Sequence, residues 1–388
     1  MNRRIFITVA EVSGDKHAAQ LIRELRTLDP EVIIEGIGGP EMQAAGAVIH
    51  RNTVTRAAMG WRGILRAGEV YGLLRWTRKY FDEHRPDLWI GVDSPSMNFH
   101  FARAAHDRKI PTLQYVAPQL WAWAIWRMKK LRKWVDHVAC ILPFEEEFFC
   151  GHGVQATFIG HPLFDQLPPR VATPVENRFP NRPPVIGLLT GSRRSEAQAN
   201  FPGMLGVAQR IAVKFPGARF VVPTTAGTLP VVQEMLGSQG PAGNVHLNGL
   251  AIEFALDSFD RLVPQCDLCL TVSGTATLHV AGFGVPMVVV YHVSQLAWNL
   301  VGQWLVPTRT FALVNVLAEK AGLGEGHLVT EIVPWNKEEP LAGAAMDLLD
   351  HPEKLESQRR DLATLIAPLD RPGASMNVAK MAMEMTER

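Results

Sequence analysis

The sequence has little net charge, few cysteines and no long apolar run. It contains 39 lysines and arginines against 38 aspartates and glutamates, so no overall field attracts the protein to nucleic acid. Four cysteines among 388 residues are too few for a disulfide framework and suit a reducing compartment. No apolar stretch is long enough to span a bilayer, and no His, Cys or Asp cluster has metal-ligand spacing. We therefore expect no transmembrane helix, no nucleic-acid partner, and no metal or other cofactor.

The apolar residues form short runs that alternate with helix-length segments, twice along the chain. The first set is RIFITVA, VIIEGIG, DLWIGVD, TLQYVAP, HVACILP and ATFIGHP, and the second is VIGLLTGS, ARFVVPTT, NVHLNG, DLCLTVSG and PMVVVYH. Continuous apolar strands with helices between them predict parallel sheets that are covered on both faces. The first run ends at Glu11 and is interpreted as a β-strand, not as a signal peptide.

A Pro-rich stretch separates the two sets of strands. A chain of 388 residues also exceeds the size at which single cores stop growing. We therefore predict an α/β protein of two Rossmann-like, doubly wound domains that face a cleft. The domains are expected at residues 1–168 and 185–352, with a Pro-rich linker at 169–184 and a helical segment at 353–388.

The strand DLCLTV leads directly into a helix start that suits an anion. Gly274 permits close backbone approach, and Ser273, Thr275 and Thr277 offer hydroxyls. The first turn of a helix has free N–H groups and the positive end of the dipole, which favour a phosphate or diphosphate. A Ser/Thr-capped helix without a ligand is the alternative.

A second strand end in the same predicted domain has similar chemistry. Gly191 and Ser192 again permit close backbone approach, and Arg193 can form bidentate contacts with a phosphate. The alternative is a solvated pair at Arg193 and Arg194, and Arg194 is expected to be solvated. Two such strand ends favour a phosphate site more than either does alone.

Eight motifs follow one another along the chain. They are AEVSGD, GIGGPEMQAAG, GVDSPSMN, YVAPQLWAW, CILPFEEEFF, FIGHPL, LLTGSRRSE and VSGTATL. In order and spacing they resemble the motifs of the bacterial lipid-A-disaccharide synthase family, with a weaker match in DRPGASMNVAKMAMEM. The resemblance implies a two-domain inverting glycosyltransferase of the GT-B type. It would transfer diacylglucosamine from UDP-2,3-diacylglucosamine to the 6-hydroxyl of 2,3-diacylglucosamine 1-phosphate, releasing UDP and a β-linked lipid A disaccharide.

The resemblance also implies roles for individual residues. Asp93, at the end of DLWIGVD, would be the general base that deprotonates the acceptor hydroxyl, and a turn aspartate is the alternative. The residues implied on the acceptor side, in the N-terminal domain, are Glu11, Ser13, Gly14, Asp15 and Asn98. The residues implied in donor binding are Gly191, Ser192, Arg193, Glu196, Ser273, Gly274, Thr275, Ala276, Thr277, His279, Asn315 and His161. For His161 a packed turn histidine is the alternative.

Some residues depart from the family pattern. His279 stands where the family has a glutamate, which in GT-B enzymes accepts hydrogen bonds from the donor ribose. A neutral imidazole accepts only one such bond. These departures leave two alternatives open: a GT-B enzyme acting on a different UDP-sugar, as a glycosyltransferase or epimerase, and an inactive nucleotide-sugar-binding paralogue.

Both implied substrates carry acyl chains, so the resemblance implies a cytoplasmic protein, peripheral on the inner face of the bacterial inner membrane. The segment 59–81 mixes apolar and cationic residues, as interfacial segments do. Its expected membrane contacts are Trp61, Ile64, Leu65, Leu73, Leu74 and Trp76. An amphipathic helix packed on the core is the alternative, and WAWAIWRMKKLRKW is a second basic, Trp-rich candidate. The C-terminal segment would pack back on an N-terminal domain, either in the same chain or in a swapped homodimer.

Overall fold

The structure is a computed structural model that describes residues 2–54, 63–122, 124–167, 179–291, 310–323, 327–370 and 372–387. It divides into two compact units. The first unit comprises Met1–Gln166 and Arg371–Arg388, and the second comprises Leu167–Asp370.

The first unit is built on a seven-stranded parallel sheet. Its strands are β1 (Arg4–Thr8), β2 (Ile33–Gly38), β3 (Val48–Asn52), β4 (Leu88–Val92), β5 (Thr112–Tyr115), β6 (His137–Cys140) and β7 (Ala156–Phe158). Their order in the sheet is β3-β2-β1-β4-β5-β6-β7, with every pair parallel. All five residues of β4 are buried, which explains why the central strands are continuous apolar runs.

Helices cover both faces of this sheet. They are α1 (Val12–Leu28), α2 (Pro40–Ala44), α3 (Gly63–His84), α4 (Pro95–His106), α5 (Met128–Trp134) and α6 (Pro143–Gly151). Helix α1 buries Ala18, Leu21, Ile22 and Leu25 in one core with β1 and β4. These residues recur at helical spacing, so one apolar face of α1 packs on the sheet.

The second unit repeats the arrangement with one antiparallel edge. Its strands are β8 (Val185–Leu189), β9 (Arg219–Thr224), β10 (Ala242–Leu247), β11 (Leu250–Leu256), β12 (Leu268–Val272), β13 (Met287–Val290) and β14 (Thr330–Ile332). The order is β10-β11-β9-β8-β12-β13-β14, and only the β10–β11 hairpin among these described strands is antiparallel. The helices are α7 (Arg194–Lys214), α8 (Leu229–Leu236), α9 (Phe259–Leu262), α10 (Thr275–Gly282), α11 (Leu313–Lys320), α12 (Glu338–Asp350) and α13 (Pro352–Ile366). The predicted fold class, two Rossmann-like α/β domains, is confirmed.

The last helix, α14 (Ala374–Met385), belongs to the first unit. Val378, Ala379 and Ala382 are buried in the same core as α1 and β1. Asp165 accepts hydrogen bonds from the backbone N–H groups that begin the helix, at 2.7–3.1 Å. Helix α13 lies in the second unit, so the expected segment 353–388 is divided at residue 370 and only its second half returns to the first unit.

Candidate functional site

The strand order of each sheet reverses at one place. In the first sheet β1 and β4 are neighbours, with β2 and β5 on their outer sides, and in the second sheet β8 and β12 are neighbours. Doubly wound sheets bind ligands at this point, outside the carboxyl ends of the strands. Most of the residues proposed above for binding or catalysis follow these four strands.

Asp93 directly follows β4 in an unusual backbone conformation. Its φ is +52° and that of Ser94 is +44°, a region that residues other than glycine seldom adopt. The Asp93 carboxylate accepts a hydrogen bond from Ser94 N at 2.7 Å and lies 3.4 Å from the donor Ser13 Oγ. The side chain is half-buried, so it keeps acceptor capacity for a hydroxyl that approaches the edge of the sheet.

The residues that follow β1 lie beside Asp93. Glu11 and Ser13 are exposed at the start of α1, whereas Gly14 is buried. A Cβ on Gly14 would lie 3.0 Å from Val9 Cγ1 and 3.6 Å from Asp93 Cβ, so glycine permits the close approach of the two strand ends. The structure therefore brings Ser13 and Gly14 together with Asp93.

Two residues predicted to contact the acceptor hydrogen-bond to the protein's own backbone. Asp15 is 1% exposed and accepts hydrogen bonds from the N–H groups of Gly39, Glu41 and Met42 at 3.0, 3.0 and 3.3 Å. Burial raises the pKa of this carboxyl, and the three N–H groups oppose the rise. Asn98 is fully buried. Its amide nitrogen donates to Val92 O and Asp93 O, and its amide oxygen accepts from Thr8 Oγ1. Acceptor contact by Asp15 and Asn98 stays a prediction, and the contacts described here assign both side chains a structural role.

The loop after β8 is hydrogen-bonded by Glu196, a residue in the first turn of the next helix. The Glu196 carboxylate accepts hydrogen bonds from Ser192 N at 3.0 Å and Arg193 N at 3.2 Å, and it binds the Arg193 guanidinium at 3.1 Å. Gly191 has φ +103°, and a Cβ there would lie 2.4 Å from Glu196 Oε2. Glu196 therefore shapes the loop, and its role in donor binding stays a prediction. The Arg193 side chain, the predicted phosphate ligand of this strand end, is 69% exposed.

The loop after β12 presents the start of α10. Gly274 has φ +143°, and no described side chain caps the helix. Ser273 Oγ donates to Phe311 O at 2.7 Å and Thr277 Oγ1 donates to Gly274 O at 2.8 Å. Gly274 and Thr275 are exposed and Ala276 is half-buried, so the outer edge of this loop consists of backbone and the Thr275 hydroxyl.

His279 lies one turn further along α10, between two aromatic rings. Its ring centroid is 4.4 Å from that of Phe259 and 5.2 Å from that of Phe283. Nε2 lies 2.8 Å from Asp260 Oδ1. Burial lowers the pKa of His279, and the Asp260 carboxylate partly offsets the decrease. Asp260 was not predicted from the sequence, and it places a carboxylate beside the ring of His279.

Two further residues predicted to bind the donor are buried in this structure. Asn315 is fully buried; its amide N–H groups donate to Val329 O and to Glu331, and its oxygen accepts from Val329 N. His161 lies in the first unit, is 2% exposed, and its Nδ1 accepts from Leu163 N at 3.2 Å. The burial and turn contact of His161 fit the packed turn histidine given as the alternative, and its donor contact stays a prediction.

The predicted membrane segment, 59–81, lies only partly within the described residues. Trp61 lies outside the described residues, as do the side chains of Ile64 and Leu65. Leu74 is 8% exposed in the core of the first unit, and Leu73 and Trp76 pack against the same core. Leu74 therefore does not face lipid, which corrects that prediction. None of the helices within the described ranges combines the length and apolar character needed to cross a bilayer.

Comparison with known proteins agrees with this fold and these motifs. Residues 5–377 match the family described as lipid-A-disaccharide synthetase. The lipid-A-disaccharide synthase of Geobacter metallireducens is 33% identical over 99% of this chain and 97% of its own, and that of Nitrosococcus oceani is 33% identical over 99% and 96%.

Solved structures share the fold at low sequence identity. A UDP-GlcNAc 2-epimerase from Neisseria meningitidis, bound to UDP-GlcNAc, has a TM-score of 0.63 at 12% identity and covers 99% of this chain and 100% of its own. MurG of Acinetobacter baumannii has a TM-score of 0.56 at 13% identity, covering 98% and 99%. With the family match over nearly its whole length, the chain belongs to the lipid-A-disaccharide synthetase family and is a glycosyltransferase of the GT-B fold.

Proposed function

We propose that this protein transfers 2,3-diacylglucosamine from its UDP derivative to the 6-hydroxyl of 2,3-diacylglucosamine 1-phosphate. The products are UDP and the β-linked disaccharide 1-phosphate. The observation that carries the proposal is the carboxylate of Asp93, held beside Ser13 at the point where the first sheet reverses its strand order. A base at this edge suits a sugar acceptor, and a binding protein would not need one.

The second unit would hold the donor by its diphosphate. Arg193 follows β8 and the start of α10 follows β12, and these two strands are neighbours in the second sheet. A cation and a helix N-terminus therefore lie at the place where the strand order of this sheet reverses. Both stabilise the negative charge that develops on UDP as the glycosidic bond to phosphate breaks. In the reaction, the acceptor O6 gives its proton to Asp93 and forms a bond to the anomeric carbon, while the bonding electrons leave with UDP. Attack opposite the leaving group inverts the anomeric centre.

Incubation of the purified protein with both acyl substrates tests the proposal. We expect disaccharide 1-phosphate and UDP to form in equal amounts, and no UDP to form when the acceptor is omitted. Release of UDP from UDP-N-acetylglucosamine without any acceptor would instead favour a different UDP-sugar chemistry. Binding of UDP without turnover of either donor would contradict an enzymatic role.

Because both proposed substrates carry acyl chains, we also propose peripheral attachment to the cytoplasmic face of an anionic membrane. A surface that suits it, called here the cationic surface, comprises Ile125, Trp126 and the exposed cations of α5. Ile125 is 47% exposed and Trp126 63% exposed. The exposed cations are Lys129, Lys130, Arg132 and Lys133. Trp side chains beside Lys and Arg favour the interface of anionic bilayers.

The positive charge of this surface extends to two neighbouring helices. The pKa of His100, on α4, is lowered by burial and further by the nearby charges of Lys130, Arg103 and Arg78. Arg103 also stacks on Trp134, with Cζ 5.6 Å from the ring centroid. Cations of α3, α4 and α5 therefore gather in one region of the first unit.

A double variant, Lys129→Gln with Lys130→Gln, is expected to bind phosphatidylglycerol-containing vesicles about 30-fold more weakly, since each cation near an anionic surface contributes about 1 kcal/mol. Trp126→Ser should weaken binding as well. Val213→Ser, at an 84% exposed position of the second unit, serves as the control. Co-sedimentation measures the binding, and equal binding by the double variant and the control would exclude the cationic surface as the site of attachment.

A further inference from the structure

Three residues at the ends of β4 and β5 have strained backbone. Asp93 and Ser94, after β4, have φ of +52° and +44°, and Val116, after β5, has φ of +62°. For a β-branched residue such as valine this conformation is a clear outlier. Strained residues of this kind persist only where surrounding contacts determine them, and they cluster at functional sites.

The side-chain amide of Gln114 lies close to three backbone carbonyl groups of this strained region. Its Nε2 lies 3.2 Å from Asp93 O, 3.3 Å from Tyr115 O and 3.3 Å from Val116 O. Gln114 is 3% exposed, so water does not substitute for these contacts. A single buried amide thus links the two strained strand ends. Asp93 O and Tyr115 O each have a second donor, Asn98 Nδ2 at 2.7 Å and Asp93 N at 2.9 Å, so loss of the Gln114 amide would remove the link between the strand ends and leave part of this hydrogen bonding in place.

A second buried amide, that of Asn98, donates to the same carbonyl oxygen of Asp93. Asn98 Nδ2 donates to Asp93 O at 2.7 Å and to Val92 O at 3.1 Å. Thr8 Oγ1 donates to Asn98 Oδ1 at 2.8 Å, which fixes the amide with its nitrogen toward Asp93. Thr8 and Asn98 are both fully buried.

We propose that Thr8, Asn98 and Gln114 are positioning residues for Asp93. The two amides donate only to backbone oxygens, so they hold the main chain and leave the Asp93 carboxylate available. Its described hydrogen-bond partners are Ser94 N and Ser13 Oγ. These three residues, called here the clamp, therefore fix the direction of the Asp93 carboxylate without neutralising its charge. This inference rests on the proposed function, in which Asp93 is the general base.

Isosteric substitutions test the clamp on the full-length protein. Gln114→Met removes the amide at similar volume and is expected to lower kcat by about 10- to 100-fold, because displacing a catalytic group by about 1 Å has effects of this order. The KM of each substrate should change less than about threefold, since binding groups stay in place. Thr8→Val should lower kcat by a smaller factor, and Thr8→Ser, which keeps the hydroxyl, should restore it.

Thr112→Val is the matched control. Thr112 is fully buried on the same strand as Gln114, and its hydroxyl bonds Trp134 O at 3.0 Å and Asp136 at 2.9 Å at the opposite end of that strand. We expect this variant to lower the Tm while kcat stays near that of the parent protein.

The outcomes separate the clamp from the proposed function. If Asp93→Asn loses activity while Gln114→Met and Thr8→Val keep the kcat of Thr112→Val, the proposed positioning role is wrong. The role of Asp93 as general base is then unaffected. If Asp93→Asn keeps full activity, the proposed base itself is wrong. Should Gln114→Met fail to fold, the comparison of Thr8→Val with Thr8→Ser decides, and equal kcat values for that pair would overturn the inference.

Discussion

An Asp93→Asn protein is expected to form disaccharide between about 100 and 10,000 times more slowly than the parent, the range that a positioned general base contributes. Asparagine preserves the shape of the side chain, and its oxygen can still accept from Ser94 N, as the Asp93 carboxylate does at 2.7 Å. An amide cannot take the proton of the attacking hydroxyl. The loss should therefore fall on kcat, with little change in KM for either substrate.

Initial rates of UDP release at saturating substrates measure this effect. Asp107→Asn is the matched control, because Asp107 is a surface aspartate of the same unit that pairs with Arg103 at 3.6 Å. Titration with UDP should give the same affinity for parent and Asp93→Asn protein, since Asp93 lies in the other unit from the proposed donor site. A kcat for Asp93→Asn within about threefold of the Asp107→Asn value would remove Asp93 from the mechanism.

Arg193→Met should lower kcat/KM for the donor by about 100- to 1,000-fold, the loss seen when a group that stabilises transition-state charge is removed. The Arg193 guanidinium lies 3.1 Å from Glu196 on a side chain that is 69% exposed, so it is accessible to a phosphate. Methionine keeps the length of the side chain without its charge. Arg193→Lys should recover only part of the rate, because an ammonium cannot form the bidentate contact of a guanidinium.

The neighbouring residue provides an internal comparison. Arg194 is exposed at the first position of α7, and Arg194→Met removes the same charge one residue along. We expect it to stay within about threefold of the parent protein. If the two variants lose equal amounts of activity, only the net charge of the loop matters and the assignment to Arg193 is incorrect.

The sequence predicted most strands because the central ones are buried on both faces. It did not predict β3, β11 or β14, which lie toward the sheet edges or are short. For β11 a signal was present: Asn248 and Gly249 have φ of +49° and +82°, and an Asn-Gly pair between apolar runs is typical of a tight hairpin.

The site shows a sharper limit of sequence reasoning. Motifs predicted which polar residues follow the strands, but they did not show which of these side chains hydrogen-bond to the protein's own backbone. Asp15 binds N–H groups at 39–42, and Asn98 binds Thr8. Such partners are distant in the sequence and meet only in the folded sheet. Gln114 left one trace, a polar residue inside the otherwise apolar strand TLQY.

The return of α14 to the first unit has a consequence for biosynthesis. Residues 167–370 are synthesised between the first unit's sheet and its last helix. Until the ribosome has passed residue 370, the face of α1 that contacts Val378 and Ala382 has no cover. The second unit, being contiguous, has all its elements before then. The first unit therefore obtains its last helix only after every element of the second has been synthesised, so it cannot be fully assembled first as the usual N-to-C order for multidomain proteins would have it.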